Sequence, residues 1–206
     1  ENIESIGFFM NIDFSELTAT PIAPDIVMPE GLAADVEYVF SVTYTDPDAM
    51  EVAEFSKAAA IAIEREGLSL GTYPPPLGHE GLRQFTSREL KSNRGLDISP
   101  DNLFLSSGAG GACQTIVDAF IDPGDVVMMD EFCYHGSLNM FLRKGAIPVH
   151  VKMDEDGMDP DALEVEIEKK LSEGIKPKLI YTISVYHNPT GATLSLARRK
   201  RIVEIS

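Results

Sequence analysis

The sequence has no tryptophan, two cysteines, and only 17 lysines and arginines against 33 aspartates and glutamates in 206 residues. Two cysteines cannot build a disulfide framework. Cys113 and Cys133 stand in apolar surroundings without metal-ligand spacing, so both are expected as buried free thiols in a reducing cytoplasm. A formal net charge of −16 repels phosphate backbones and anionic lipid, which argues against nucleic-acid and membrane partners. No apolar run approaches the roughly 20 residues that span a bilayer. The chain opens on Glu1-Asn2-Ile3-Glu4, without an initiator Met and without the basic n-region of a signal peptide, so its start is expected to be a processing or ordering boundary. Internal repeats and low-complexity tracts are lacking too.

What is present is enough apolar sequence, 44% of residues, for one sizeable core, in one domain or in a domain plus a piece of another. Residues 1–50 read as an irregular N-terminal arm, punctuated by Pro21, Pro24, Pro29 and Pro47. From residue 51 the pattern changes. Phe55, Ala59, Ala62 and Ile63 recur at helical spacing within 52–66, and Gly67 follows as a C-cap. A proline- and glycine-rich ordered loop covers 71–78, and a second helix is expected over 80–92.

Beyond Pro100 strand and helix alternate. Strands are expected at 102–106, 126–129, 146–151 and 178–184, with helices at 110–121, 134–144, 160–173 and from Leu194 onward. Asp122-Pro123-Gly124-Asp125 and Asp154-Glu155-Asp156-Gly157 form turns. Such alternation predicts an α/β domain with a mostly parallel sheet covered by helices, and places ligands at the carboxyl ends of the strands.

Three segments fall at those ends. Ser106-Ser107-Gly108-Ala109-Gly110-Gly111 joins a strand to a helix. Its small residues admit a ligand close to the backbone, and the helix start favours an anion. Taken alone it is as readily a tight packing turn. Tyr134, in Asp130-Glu131-Phe132-Cys133-Tyr134, could stack on a planar ligand or be ordinary core. Asn188, in Tyr186-His187-Asn188-Pro189-Thr190-Gly191, offers an amide from a turn in which the Asn-Pro bond can be cis, though a turn of this composition taken alone is more often structural than functional.

The order and spacing of these segments, together with Tyr73–Arg83, the DPGD turn and Arg198-Arg199, resemble the class I/II aminotransferase family of fold-type I pyridoxal-phosphate (PLP) enzymes. The nearest look is to the branch with 2-aminoadipate and aromatic aminotransferases and MocR-type regulators. The resemblance implies an aspartate aminotransferase-like large domain, of which 51–206 would be the N-terminal part, incomplete at the C-terminus. It implies pyridoxal 5'-phosphate as cofactor, with Ala109 and Gly110 on its phosphate, Tyr134 on its ring and Asn188 on its phenolate oxygen. Tyr73 would reach the neighbouring site of a cytoplasmic homodimer. His187 stands where relatives often carry Gln, which suggests a supporting role beside Asn188. Amino acids and 2-oxo acids would be the substrates.

The same resemblance places the Schiff-base lysine, and hence any catalytic residue, beyond Ser206. No metal site is expected. His79, His135 and His150 are expected to be structural or solvated, and Arg83, Arg198 and Arg199 to make capping or helix-surface contacts. The alternatives are another reaction on this scaffold (β-lyase, decarboxylase or synthase) or the ligand-sensing module of a MocR-type regulator.

Overall fold

The computed structural model describes residues 46–206; the expected arm over 1–50 lies almost wholly outside them. The described residues divide into two compact units, 46–112 and 113–206.

In the first unit, helix α1 spans Val52–Glu66 and α2 spans Glu80–Arg94. Gly67 does close α1, but in the right-handed conformation (φ −57, ψ −27), because the chain continues into a 3-10 turn, Gly67–Gly71. His79 caps α2: its Nδ1 accepts from the Leu82 N–H at 3.0 Å, satisfying one of the donors that a helix start leaves without a partner. No residue of α1 is buried, and Arg83 is the one buried residue of α2. Arg83 donates to the carbonyls of Pro100 at 2.6 Å and Gly78 at 3.4 Å, so it ties α2 to the segments on either side, as a capping arginine would.

The strand expected at 102–106 is absent. A 3-10 turn, Pro100–Asn102, precedes an extended stretch, from which Leu105 N–H donates to the Leu77 carbonyl. Nothing among the described residues runs alongside to complete a ladder, and extended backbone without a partner strand is not sheet.

In the second unit, strands β1 (Val126–Asp130), β2 (Ile147–Val151) and β5 (Leu179–Tyr181) form a parallel sheet in the order β2-β1-β5. Helices α4 (His135–Arg143) and α5 (Pro160–Ser172) lie on the two crossovers. Strands β3 (Met153–Asp154) and β4 (Gly157–Met158) form a small hairpin around the expected Asp154–Gly157 turn. Helix α3, Gly108–Phe120, begins in the first unit and α6, Leu196–Ile205, ends the chain.

The core follows from β1, every residue of which is buried. Successive side chains of a strand point to opposite faces. Val126 and Met128 therefore pack with Val151, Leu163, Leu194 and Ile202 on one side, while Val127 and Met129 pack with Val117, Ile121, Phe141 and Ala146 on the other. Helices cover both faces of a parallel sheet, which is the expected α/β class.

Two boundaries differ from expectation for a visible reason. Strand β5 stops at Tyr181 rather than residue 184 because the Ile183 N–H bonds the Asp130 carboxylate, not a backbone carbonyl. Helix α6 starts at Leu196 because Ser195 caps it and Leu194, 3% exposed, is spent in the core.

Candidate functional site

The first unit holds a helix start. Gly108 has φ +69, a left-handed value that glycine adopts freely, and nothing lies within 4 Å of where its side chain would be. The Gly108 and Gly111 N–H groups turn back onto the carbonyls of Ser106 and Ser107. Those of Ala109 and Gly110 fall in the first turn of α3, where a helix has no internal acceptor to offer. Both residues are exposed, so the backbone there is open to an anion. Tyr73, on the loop before α2, is 99% exposed.

The second unit contributes two loops at the carboxyl ends of neighbouring strands. Tyr134 follows β1 and forms the N-cap of α4. Its ring sits 5.0 Å from that of His135. It also occupies the place of a side chain at Gly136, where an added Cβ would stand 2.5 Å from the Tyr134 Cε1. Gly136 is therefore what lets the ring lie back on the helix start, leaving it 41% exposed. Asn188 is exposed in the turn after β5, and the Asn188–Pro189 bond is cis.

Behind that turn lies a feature that sequence reasoning left without a role. Asp130, at the end of β1, is 1% exposed. Its Oδ1 accepts from the Thr182 hydroxyl at 3.1 Å, and its Oδ2 accepts from the Ile183 N–H and from His187 Nε2, both at 3.2 Å. Burial pushes the Asp130 carboxyl above the usual carboxylate range, while the Thr182 hydroxyl, the His187 ring and the Ile183 N–H pull against it. On the far side of the imidazole, Nδ1 lies 3.0 Å from the Thr190 hydroxyl and 3.5 Å from the Thr190 N–H. The Thr190 N–H can only donate, and the Thr190 hydroxyl can donate to Nδ1 while accepting from the Ala192 N–H. The neighbours thus assign Nδ1 as the acceptor and Nε2 as the donor to Asp130. An acidic residue closing a fully apolar strand was the one signal in the sequence, and acids at strand ends are common in turns.

The remaining polar candidates have structural partners. Arg198 makes a two-pronged ion pair with Asp154 and also donates to the Gly157 carbonyl, and Arg199 donates to the Leu194 carbonyl. His150 meets the Asp130 carbonyl. Cys113 and Cys133 are free but only half-buried. Cys133 donates to the Asp130 carbonyl at 2.8 Å, and burial pushes its thiol up to about 11, so it is no nucleophile at neutral pH. Among the described residues no group of three His, Cys, Asp or Glu could hold a metal ion. No helix there is long and apolar enough to cross a membrane.

Exposed loops at the carboxyl ends of a parallel, helix-covered sheet are where α/β domains place their ligands. The chain belongs to the family of aminotransferases of class I and II, which it matches over residues 43–206. It is 28% identical over 160 residues to aromatic-amino-acid aminotransferase 1 of Thermococcus litoralis, covering 78% of this chain and 38% of that protein. An archaeal alanine:glyoxylate aminotransferase of known structure is 38% identical with a TM-score of 0.74, over 78% of this chain and 39% of that one. Pyrococcus horikoshii kynurenine aminotransferase, solved with PMP, is 26% identical with a TM-score of 0.72, over 78% and 39%. The chain thus spans less than two fifths of the length of these relatives.

Proposed function

We propose that the protein carrying this chain is a PLP-dependent aminotransferase that moves an amino group between an amino acid and a 2-oxo acid. The observation that carries this reading is the family match over residues 43–206. Residues 51–206 would be the N-terminal part of its large, cofactor-binding domain.

The residues present fit the cofactor. A phosphate dianion needs N–H donors in a positive field, and the first turn of α3 supplies both at Ala109 and Gly110. A planar ring needs a flat apolar face, and the Tyr134 ring, given room by Gly136, offers one. A phenolate oxygen needs a donor, and the Asn188 amide is one on an exposed turn. When bound, PLP supplies the carbonyl that captures the amino group and the ring that accepts the electron pair.

The protein's own part is to bind and orient. Ala109 and Gly110 hold the phosphate, Tyr134 covers one ring face against water, and Asn188 stabilises negative charge on the phenolate oxygen. Tyr73 is assigned to the neighbouring phosphate across a homodimer, in keeping with its complete exposure within its own unit. A charge of −16 suits a cytoplasmic enzyme with small-molecule partners better than one on nucleic acid or membrane.

The test is an absorbance spectrum of the purified protein with PLP, before and after borohydride, followed by intact mass. A visible band that borohydride converts into a fixed mass increment on a lysine is the expected result. The absence of both band and increment would overturn the reading.

A further inference from the structure

Asp130 and His187 form a buried polar pair that the roles above leave unused. Their side chains are each 1% exposed. Burying such a pair gains little stability over apolar residues of the same size, because desolvation offsets the attraction. What the pair does supply is direction: hydrogen bonds fix orientation where apolar contacts only fill space.

That direction converges on one turn. The Asp130 carboxylate, anchored by the Thr182 hydroxyl and the Ile183 N–H at the end of β5, holds His187 Nε2. The ring's other nitrogen holds the Thr190 hydroxyl at 3.0 Å. The main chain of His187 closes the same turn, its N–H donating to the Ala192 carbonyl at 2.8 Å and its carbonyl accepting from the Gly191 N–H at 2.6 Å. Asn188 is the next residue, inside the loop so closed. On its own strand, Asp130 precedes the loop that carries Tyr134, and its carbonyl accepts from the Cys133 thiol within that loop. One buried residue therefore ties together both loops to which cofactor contacts are assigned in this unit.

We propose that Asp130 and His187 are positioning residues for the Asn188 turn, the carboxylate holding the imidazole and the imidazole holding the turn, so that the Asn188 amide is presented to the cofactor in one orientation. The inference rests on the PLP reading given above. It requires of residue 187 a donor towards Asp130 and an acceptor towards Thr190. A glutamine meets both requirements; a leucine of similar volume meets neither.

The experiment is a PLP titration of the full-length apoprotein, read as a dissociation constant from the cofactor's absorbance, with the apoprotein's melting temperature recorded alongside. His187→Leu is expected to weaken PLP binding about tenfold and to move the pH midpoint of the bound cofactor's visible band. His187→Gln restores both to near the wild-type values. Leu163→Ala, in the core on the sheet's other connections, lowers the melting temperature and leaves the dissociation constant unchanged.

Wild-type protein that binds no PLP overturns the functional reading, and this inference with it. Wild-type protein that binds PLP while His187→Leu binds equally well overturns the inference alone. So does a Leu163→Ala variant that weakens binding as much as His187→Leu, since the effect would then be one of stability. If His187→Leu does not fold, Thr190→Val carries the test: about threefold weaker binding supports the positioning role, and unchanged binding overturns it.

Discussion

The two units use apolar residues in opposite ways. In the second, the residues of β1 alternate between two closed clusters, and Val127, Met128 and Met129 have no exposed surface. In the first, α1 carries apolar residues at helical spacing, yet Phe55 is 76% exposed, Val52 68% and Ile63 60%. Periodicity is therefore evidence for an element and for the face it will bury, not for what buries it. A strand that is apolar on both sides carries its own demand for two covering layers, and a helix with one apolar stripe can be covered by anything that presents a matching surface.

The sharpest test of that contrast is a pair of truncations in the 206-residue chain, followed by denaturant midpoint. Met128→Ala empties space in a closed cluster and is expected to cost about 2–5 kcal/mol. Phe55→Ala removes a side chain already in water and should fall within about 0.5 kcal/mol. A cost for Phe55 near that of Met128 would break the comparison, because the α1 face would then have found a cover.

A smaller effect is expected at Arg83, where the first unit relies on hydrogen bonds rather than packing. Arg83→Met keeps most of the volume but leaves the Pro100 and Gly78 carbonyls without their donor. A loss of about 1–3 kcal/mol is expected, with faster amide exchange confined to residues around 78–101. Unchanged exchange there would mean that the unit is held by something other than this side chain.

The smallest effects come from exposed ion pairs, one in each unit. In the second, hydrogen bonds from Arg198 hold the Asp154 carboxyl down to about 2. In the first, bonds from His79 and then Arg65 hold Glu66 below its usual value. A carboxyl depressed in the folded state contributes stability above its unfolded pKa and loses it as pH falls through the folded one. Both contributions are thus present at neutral pH. That of Asp154 should fade on acidification from about 4 to about 2. Asp154→Asn should flatten that part of the stability profile by lowering the neutral region slightly towards the acid value; a profile that stays steep would assign the acid sensitivity to other carboxyls.

How far the fold was legible depended on where each element's constraints lie. Helix α1 was bounded correctly at Val52 and Glu66, and the starts of α2 and α5 at Glu80 and Pro160, because caps and periodicity are local. The strand expected at 102–106 failed, because a strand exists only with a neighbour and its own sequence cannot supply one. The end of β5 was misplaced because a side chain 53 positions away takes the Ile183 N–H.

The candidate site divides in the same manner. The small-residue segment, Tyr134 and Asn188 stood out as small residues, an aromatic and an amide at strand ends, the family resemblance narrowed the segment to Ala109 and Gly110, and these four residues lie on strand ends or on a helix start. Asp130 was passed over because its meaning is held by Thr182, Ile183 and His187, none of them near it in sequence. For His187 the resemblance suggested a supporting role beside Asn188 but not its partner Asp130.

By itself the sequence determined the α/β class, the positions of most helices, and which small, aromatic and amide residues stand at strand ends and helix starts. These depend on spacing, composition and turn chemistry within a few residues of each position. Only the tertiary structure decided that β1 is the central strand, that Gly136 makes room for Tyr134, and that Asp130 and His187 meet as a buried pair behind the Asn188 turn. Each of those requires two distant segments to occupy the same space, and close packing, not local preference, settles which segments do.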